Sequence, residues 1–319
     1  MPGDSLLVQN DTGSDTATIS DTIVNGVRTA SLHHHHHNRA WLAADTVMVV
    51  IGCVLLIFAS GPLFKRLRGR FRHRRLQQAA LESLDVYYAR YDEWLSSNNS
   101  YYKSLSVSLR RRFVLRVMEF MKTKKFEYVD LSPDEKMPLL ISAAAIQLTF
   151  GLKEYLFDFF DTIYVMQHDY RYGMYNVPFA GHVSHDGIYL SWDNFLRGFA
   201  DDTDGDNVGI HEMAHALAYV NFTAEDNGGE DDVFKARFEQ FAQVAHPIFD
   251  NMQHGGENML NRYAATNYNE FWAVSVETFF EKSLAMKQQM PTLYDALCEL
   301  LGQDPLLAGK LLQSHSLLS

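Results

Sequence analysis

The chain has 319 residues, 47% of them hydrophobic, which is enough for a sizeable core and excludes a wholly disordered protein. Its two cysteines exclude a disulfide-stabilised scaffold. The formal net charge of −11 argues against nucleic acid as a partner, because proteins that bind nucleic acid present basic surfaces to the phosphates.

The first forty residues differ in composition from the rest of the chain. Residues 1–40 are rich in small polar residues and poor in large apolar ones. Such a segment cannot bury enough surface to offset the entropy lost on ordering, so we expect it to be disordered. It contains five consecutive histidines, His33–His37. We interpret them as an expression tag or a solvated tract, outside any catalytic metal site.

An uncharged apolar run follows at Thr46–Phe64. As a helix it would rise roughly 28 Å, close to the hydrocarbon thickness of a bilayer. We therefore predict a transmembrane helix over 44–64. The next segment, 65–75, carries seven Lys or Arg residues, and basic flanks of this kind stay in the cytoplasm. The pattern predicts a single-pass membrane protein whose large C-terminal part faces the cytoplasm.

Residues 76–319 are predicted to form one α+β domain, mainly helical with a small sheet. The apolar run Pro138–Leu152 is too short for a second span and contains Gln147, so we expect a buried core helix there. The other predicted elements are helices within Leu76–Met121, strands at Thr162–Met166 and Gly187–Trp192, and helices within Asn207–Val220, Val233–Phe249, Asn269–Ala285 and Thr292–Leu301.

The sequence GIHEMAHALAYV contains an HExxH motif, formed by His211, Glu212 and His215. Two histidines four residues apart lie on one face of a helix, so both imidazoles can bind one zinc ion. The adjacent glutamate can act as general base by taking a proton from a zinc-bound water. Small and apolar neighbours indicate a buried helix, and we predict Asp206 as its N-cap.

A catalytic zinc needs a third protein ligand. The metzincin pattern is excluded, because Ala218 and Asn221 stand where it requires Gly and His. Glu239 has a thermolysin-like separation but lies in a charged amphipathic stretch. Glu270 is the better candidate, since it begins a strongly apolar helix in which a carboxylate must be paired or bound to metal. Glu277, two turns further along the same face, can orient a ligand histidine.

Four segments in order resemble the Mlc titration factor A family of zinc metallopeptidases, also described as glucose-regulated metallopeptidases. They are GIYLSWDNF, GIHEMAHALAYV, YAATNYNEFWAVSVETFF and PTLYDALCELLGQDPLL, and the resemblance as a whole covers about residues 80–308. The resemblance implies a zincin-like metallopeptidase domain, with His211, His215 and Glu270 as zinc ligands and Glu212 as general base. It also implies a peptide or protein substrate.

The resemblance gives Tyr263 a role as well. It stands seven residues before Glu270 and matches the tyrosine proposed to stabilise the oxyanion in that family. A phenol beside the metal can donate a hydrogen bond to the negative charge that develops on the substrate. We further predict Gly187–Trp192 as an edge strand along which a peptide can pair. The acidic loop Asp201–Asn207 lacks EF-hand spacing, and we interpret it as solvated.

The sequence therefore predicts a membrane-anchored zinc-dependent peptidase. The alternative is a non-catalytic zinc-containing module that sequesters a regulatory protein at the membrane. A complete general base beside an open zinc position favours the enzyme. The family members considered are soluble, so the predicted anchor separates this chain from them. The sequence does not distinguish aminopeptidase from endopeptidase action.

Overall fold

The structure is a computed structural model, and it divides the chain into two compact units, Met1–Leu67 and Arg68–Ser319. The residues that it describes are 47–51, 71–173, 178–201, 203–223, 231–307 and 310–311. In the first unit, residues 47–51 are helical and exposed. The predicted disordered segment 1–40, most of the predicted span 44–64 and residues 65–70 lie outside the described residues. Among those described, no helix combines the length and the apolar character that crossing a bilayer requires.

The second unit is mainly helical with a small mixed sheet, as predicted for an α+β domain. Its helices are α1 71–98, α2 Ser100–Ser104, α3 Val107–Thr123, α4 Lys136–Thr149, α5 Trp192–Ala200, α6 Val208–Phe222, α7 Asp232–Gln253, α8 Tyr268–Glu281, α9 Ser283–Gln289 and α10 Pro291–Leu301. Its strands are β1 Lys125–Val129, β2 Thr162–Met166, β3 Gly181–Ser184, β4 Gly187–Ser191, β5 Gln303–Asp304 and β6 Lys310–Leu311. Short 3-10 helices lie at Arg262–Ala265 and Pro305–Leu307.

The helix α4 lies at the centre of the core, as predicted from its apolar run. Twelve of its 14 residues are buried, so it is covered on all sides, as helices without a polar face must be. It packs against α3 on one side and against α6 on another. The helix that carries the HExxH motif therefore packs against an element that is almost entirely buried.

The four-stranded sheet has the order β1-β2-β4-β3. The β1–β2 and β2–β4 pairs are parallel, and β3 runs antiparallel to β4. The prediction that Gly187–Trp192 is an edge strand is wrong, because β4 lies between β2 and β3 and the helix α5 begins at Trp192. The edge next to α6 is β3, a four-residue strand that the sequence patterns did not indicate.

The helix predicted within Asn269–Ala285 is interrupted. The backbone leaves the helical conformation at Lys282 (φ −117°, ψ 35°), which separates α8 from α9. Ser283 turns its hydroxyl back to donate to Phe279 O at 2.6 Å. The helix α9 is therefore separate from α8, which carries Glu270, Glu277 and Glu281.

Candidate metal centre

The helix α6 presents the HExxH motif and is capped by Asn207. The side-chain oxygen of Asn207 accepts a hydrogen bond from Ile210 N at 3.0 Å, the usual N-cap geometry. The prediction of Asp206 as the cap is wrong: its side chain is exposed one residue earlier in the chain. The cap falls on Asn207 because this residue is the one that turns inward, with 5% of its surface exposed.

The helix α8 packs against α6 and supplies carboxylates to it. Asn267 caps α8 by accepting a hydrogen bond from Glu270 N at 3.0 Å, which fixes the first turn. Trp272 donates its indole N–H to Ala214 O of α6 at 2.9 Å. These contacts set the distance and rotation between the two helices, and they aim Glu270 at the histidines.

Three donor atoms from the two helices converge. The Nε2 atom of His211 lies 3.0 Å from His215 Nε2 and 3.0 Å from Glu270 Oε2. The third distance, from His215 Nε2 to Glu270 Oε2, is 3.5 Å. The three side chains are 15–18% exposed, so the cluster is reached by solvent from one side. Among the described residues this is the group of three metal-binding side chains that could hold one ion.

A second carboxylate supports His211 from behind. Glu277 Oε2 lies 3.2 Å from His211 Nδ1, and its side chain is 6% exposed. This contact confirms the prediction that Glu277 partners a histidine of the motif. An Nδ1–H donated to Glu277 leaves the lone pair of Nε2 directed at the other two donors, the tautomer that metal binding requires.

The electrostatics of the cluster favour a cation between its donors. Burial by itself lowers the pKa of His211, but hydrogen bonds with Glu270 and Glu277 outweigh it and raise that pKa well above the usual value. Burial pushes the pKa of Glu270 upward, yet its hydrogen bonds with His211 and His215 bring it down to about 2. The metal-free cluster therefore binds a proton tightly. A metal ion would bind to the same atoms in place of that proton.

Glu212 lies beside the cluster with a free carboxylate. It is 5% exposed, and its Oε2 atom has no hydrogen-bond partner within the described part of the chain. Burial raises its pKa to about 7, although His211 and His215 oppose the shift. The carboxylate packs against Gly181 of β3, where an added Cβ would lie 2.6 Å from Glu212 Oε1. Burying a carboxylate oxygen without a hydrogen-bond partner is costly, which indicates a functional role for Glu212.

The other residues considered in the sequence analysis lie outside the group of three converging donors. Tyr263 lies in the 3-10 helix at the rim, with its ring centroid 6.3 Å from that of His211 and 53% of its surface exposed. Glu239 is exposed on α7, as expected for a solvated side chain. In the acidic loop, Asp201, Asp204 and Asp206 are exposed, as predicted, whereas Asn207 is buried.

Sequence reasoning missed Gly181 and Glu281, which both shape the site. Gly181 stands in a strand too short to show alternation, and its contact with Glu212 depends on the packing of β3 against α6. Glu281 continues the i, i+4 face of α8 beyond Glu277, a spacing that could have indicated it. It accepts a hydrogen bond from Asn207 Nδ2 at 2.9 Å.

Glu281 leads to a prediction about stability. Burial, with help from Glu277 and Asp204, raises its pKa from 4.5 to about 8. Between these values the folded protein keeps a proton that the unfolded chain releases, so its contribution to stability is lost as pH rises from about 5 to about 8. We expect Glu281→Gln to stabilise the metal-free protein at pH 8 by roughly 1–3 kcal/mol after allowance for partial exposure.

The measurement is denaturant unfolding of both proteins at pH 5 and pH 8 in the presence of a chelator. Glu281→Gln should differ from wild type at pH 8 and match it closely at pH 5. The same difference at both pH values would show that the side chain acts through packing and not through its proton.

The donor set suits a divalent metal. Two imidazole nitrogens and one carboxylate oxygen lie within 4.8 Å of one another, and the buried Glu212 carboxylate stands alongside. The combination of two histidines one helical turn apart and a carboxylate from another helix is typical of metal-dependent peptidases with the HExxH motif. The residues present therefore fit a bound metal.

The donor set of the site is that of a metallopeptidase. The chain belongs to the family described as glucose-regulated metallo-peptidase M90, whose match covers residues 71–301. This membership confirms the family inferred from the four sequence segments, and it makes the protein a member of a metal-dependent peptidase family that acts on peptide or protein substrates.

Three other proteins are similar in sequence to parts of this chain. An uncharacterized protein of Synechocystis sp. is 24% identical over 225 residues, covering 65% of this chain and 81% of the relative. Mlc titration factor A of Cronobacter sakazakii is 30% identical over 136 residues, 41% of this chain and 50% of the relative. Mlc titration factor A of Yersinia pestis is 30% identical over 125 residues, 37% of this chain and 45% of the relative. The match thus spans about half the length of the two Mlc titration factor A proteins and 81% of the Synechocystis protein.

Proposed function

We propose that this chain is a zinc-dependent peptidase that cleaves peptide bonds with Glu212 as general base. The observation that carries the proposal is the convergence of three metal-binding atoms beside the buried Glu212 carboxylate, whose Oε2 atom has no hydrogen-bond partner among the described residues. Membership of a metallopeptidase family supports it. The type of peptidase, whether aminopeptidase or endopeptidase, is left open.

His211, His215 and Glu270 would hold the metal. Two imidazoles and a carboxylate are the ligand set of catalytic zinc in gluzincin-type sites, which favours zinc over calcium or magnesium. When bound, the ion polarises the substrate carbonyl and makes a water molecule acidic at neutral pH. Glu277 keeps His211 in the tautomer whose Nε2 faces the ion.

Glu212 moves the proton. A carboxylate with a pKa raised to about 7 is well matched to accept a proton from the attacking water near neutral pH. Its Oε2 has no competing partner in the described structure, so it is free to take that proton. The same group then donates the proton to the amine that leaves when the C–N bond breaks. Tyr263, at the rim, donates a hydrogen bond to the negative charge that develops on the carbonyl oxygen.

The edge strand β3 is the proposed binding surface for the substrate main chain. Ser191 N donates to Ala180 O at 2.8 Å, which makes these opposite residues a hydrogen-bonded pair. Hydrogen bonding alternates along an antiparallel pair, so Gly181 and Val183 direct their N–H and C=O groups away from β4. A peptide can add to this edge as a further strand, and Gly181 brings it next to Glu212.

Gly181 gives a prediction about this arrangement. In Gly181→Ala the new Cβ would lie 2.5 Å from Glu212 Cγ and 2.6 Å from its Oε1, so the carboxylate has to move. We expect kcat/KM to fall by roughly 10–100-fold with one zinc per chain retained, because the ligands are untouched and the base is displaced. Peptide hydrolysis and elemental analysis on the same sample provide the measurement.

The control is the same substitution in the neighbouring strand. In Gly187→Ala the added Cβ would lie 2.6 Å from Thr162 O, so the sheet is strained without contact to Glu212. This variant should lose stability but keep kcat/KM per folded molecule. Equal catalytic losses in both variants would contradict the assigned role of Gly181.

The proposed function is tested with a panel of chromogenic peptides and the full chain. Hydrolysis should disappear with a chelator that removes zinc, and it should return when zinc is added back. Zinc bound in the absence of any hydrolysis would favour the alternative, a non-catalytic module that sequesters a regulatory protein. A chain that neither binds zinc nor cleaves peptides would contradict both.

We also propose that the chain is anchored to a membrane by 44–64, with the peptidase domain in the cytoplasm. The support is the sequence alone: an uncharged run followed by seven basic residues in 65–75. Extraction of the full chain from membranes by alkaline carbonate would contradict the span. Protease accessibility of the domain from outside intact cells would contradict its orientation.

A further inference from the structure

Asn207 is a buried polar residue that ties three helices together beside the metal centre. Its Nδ2 atom donates to Gly198 O of α5 at 3.1 Å and to Glu281 Oε1 of α8 at 2.9 Å. Its Oδ1 atom accepts from Ile210 N of α6 at 3.0 Å. Both ends of the amide are therefore satisfied, and its conformation is fixed from three directions.

The main chain of the same residue holds the carboxylate that supports His211. Asn207 N–H donates to Glu277 Oε1 at 3.0 Å, and the other oxygen of Glu277 faces His211 Nδ1 at 3.2 Å. The side-chain hydrogen bonds of Asn207 set the direction in which its N–H points. They consequently set the position of Glu277.

The backbone around Asn207 is closely packed. At Gly198 an added Cβ would lie 2.8 Å from Asn207 Cα and 3.0 Å from Asp206 O. The backbone of α5 thus closes directly on the start of α6. A side chain at 207 that lost its partners would leave buried polar groups on Gly198 and Glu281 without a donor, which is unfavourable.

We propose that Asn207 is a positioning residue for the metal centre, acting through Glu277 on the orientation and tautomer of His211. The inference rests on the proposed function, because it takes His211 as a metal ligand. Residues that orient a ligand histidine commonly contribute 10–100-fold to metal affinity. An effect of this size is expected from Asn207, although it touches no metal-binding atom.

The test uses Asn207→Ser in the full chain, with His33–His37 replaced by alanine so that they bind no zinc. Serine keeps the capping oxygen for Ile210 N but lacks the two amide hydrogens. We expect the zinc Kd, measured by competition with a chromogenic chelator, to rise by about 10–100-fold. In the metal-free protein, the Nδ1–H proton of His211 should lose the downfield shift that its hydrogen bond to Glu277 causes.

Asp231→Ala is the matched control for the loss of a capping side chain. Asp231 caps α7, which bears none of the three donors, by accepting hydrogen bonds from Val233 N and Phe234 N. This variant should unfold more easily, yet its zinc Kd and the His211 resonances should equal those of wild type. If Asn207 contributed only to folding, Asn207→Ser would also unfold more easily while keeping the wild-type zinc Kd and His211 resonances.

A double variant decides whether the effect passes through Glu277. If it does, Asn207→Ser should add little to the loss of zinc affinity that Glu277→Gln causes alone. An unchanged zinc Kd in Asn207→Ser, or full additivity in the double variant, would overturn this inference and leave the proposed function standing. Absence of zinc binding by the wild-type chain would overturn both.

Discussion

Replacing Glu212 by glutamine should leave zinc bound and lower kcat/KM by roughly 10²–10⁴-fold, the usual contribution of a general base. The substitution preserves shape and volume but removes the ability to accept a proton. The three metal-binding atoms belong to other side chains, so their convergence is not disturbed. Hydrolysis of a chromogenic peptide and zinc per chain are measured on one preparation of the full chain with His33–His37 replaced by alanine.

The matched control is Glu239→Gln, which makes the same chemical change at an exposed site on α7. It should keep full activity. If Glu212→Gln kept turnover within a few-fold of wild type while holding one zinc, the general base would have to be another group. If it lost zinc as well, the loss of activity would say nothing specific about proton transfer, and the ligand set would need revision.

The motif could be predicted from the sequence because its geometry is local. His211 and His215 are one helical turn apart, so helix periodicity alone brings them to one face. Glu270 is 59 residues from His211, and no local pattern brings them together. It was identified by the cost of burying an unpaired carboxylate and by the family resemblance, and the structure does place it 3.0 Å from His211.

The wrong predictions all concern features set by tertiary packing. The strand β4 is an interior strand because β2 pairs with one side of it and β3 with the other. The sequence patterns did not indicate β3, so they could not show that both sides of β4 are paired. The predicted cap, Asp206, lies one residue before the observed cap, Asn207. Asp and Asn side chains cap isolated helices equally well. Asn207 is the cap here because Gly198 has no Cβ, which allows the backbone of α5 to pack directly against residue 207.

Replacing Glu270 by alanine should abolish tight zinc binding. The loss of one ligand of three is expected to weaken zinc affinity by about 3–5 kcal/mol, or roughly 10²–10⁴-fold. Because binding to the folded state alone raises stability by mass action, wild type should melt at a higher temperature with zinc than without. In Glu270→Ala this zinc-dependent shift should be absent at micromolar zinc.

Elemental analysis and thermal unfolding are both run on the full chain with His33–His37 replaced by alanine, since those five residues would bind zinc in either protein. Glu239→Ala serves as the control, because it removes an exposed carboxylate that has the thermolysin-like separation from the motif. It should retain one zinc per chain and the full thermal shift. The reverse result, with zinc lost in Glu239→Ala and kept in Glu270→Ala, would move the third ligand from α8 to α7. It would also leave the 3.0 Å approach of Glu270 to His211 as an ion pair of the metal-free protein.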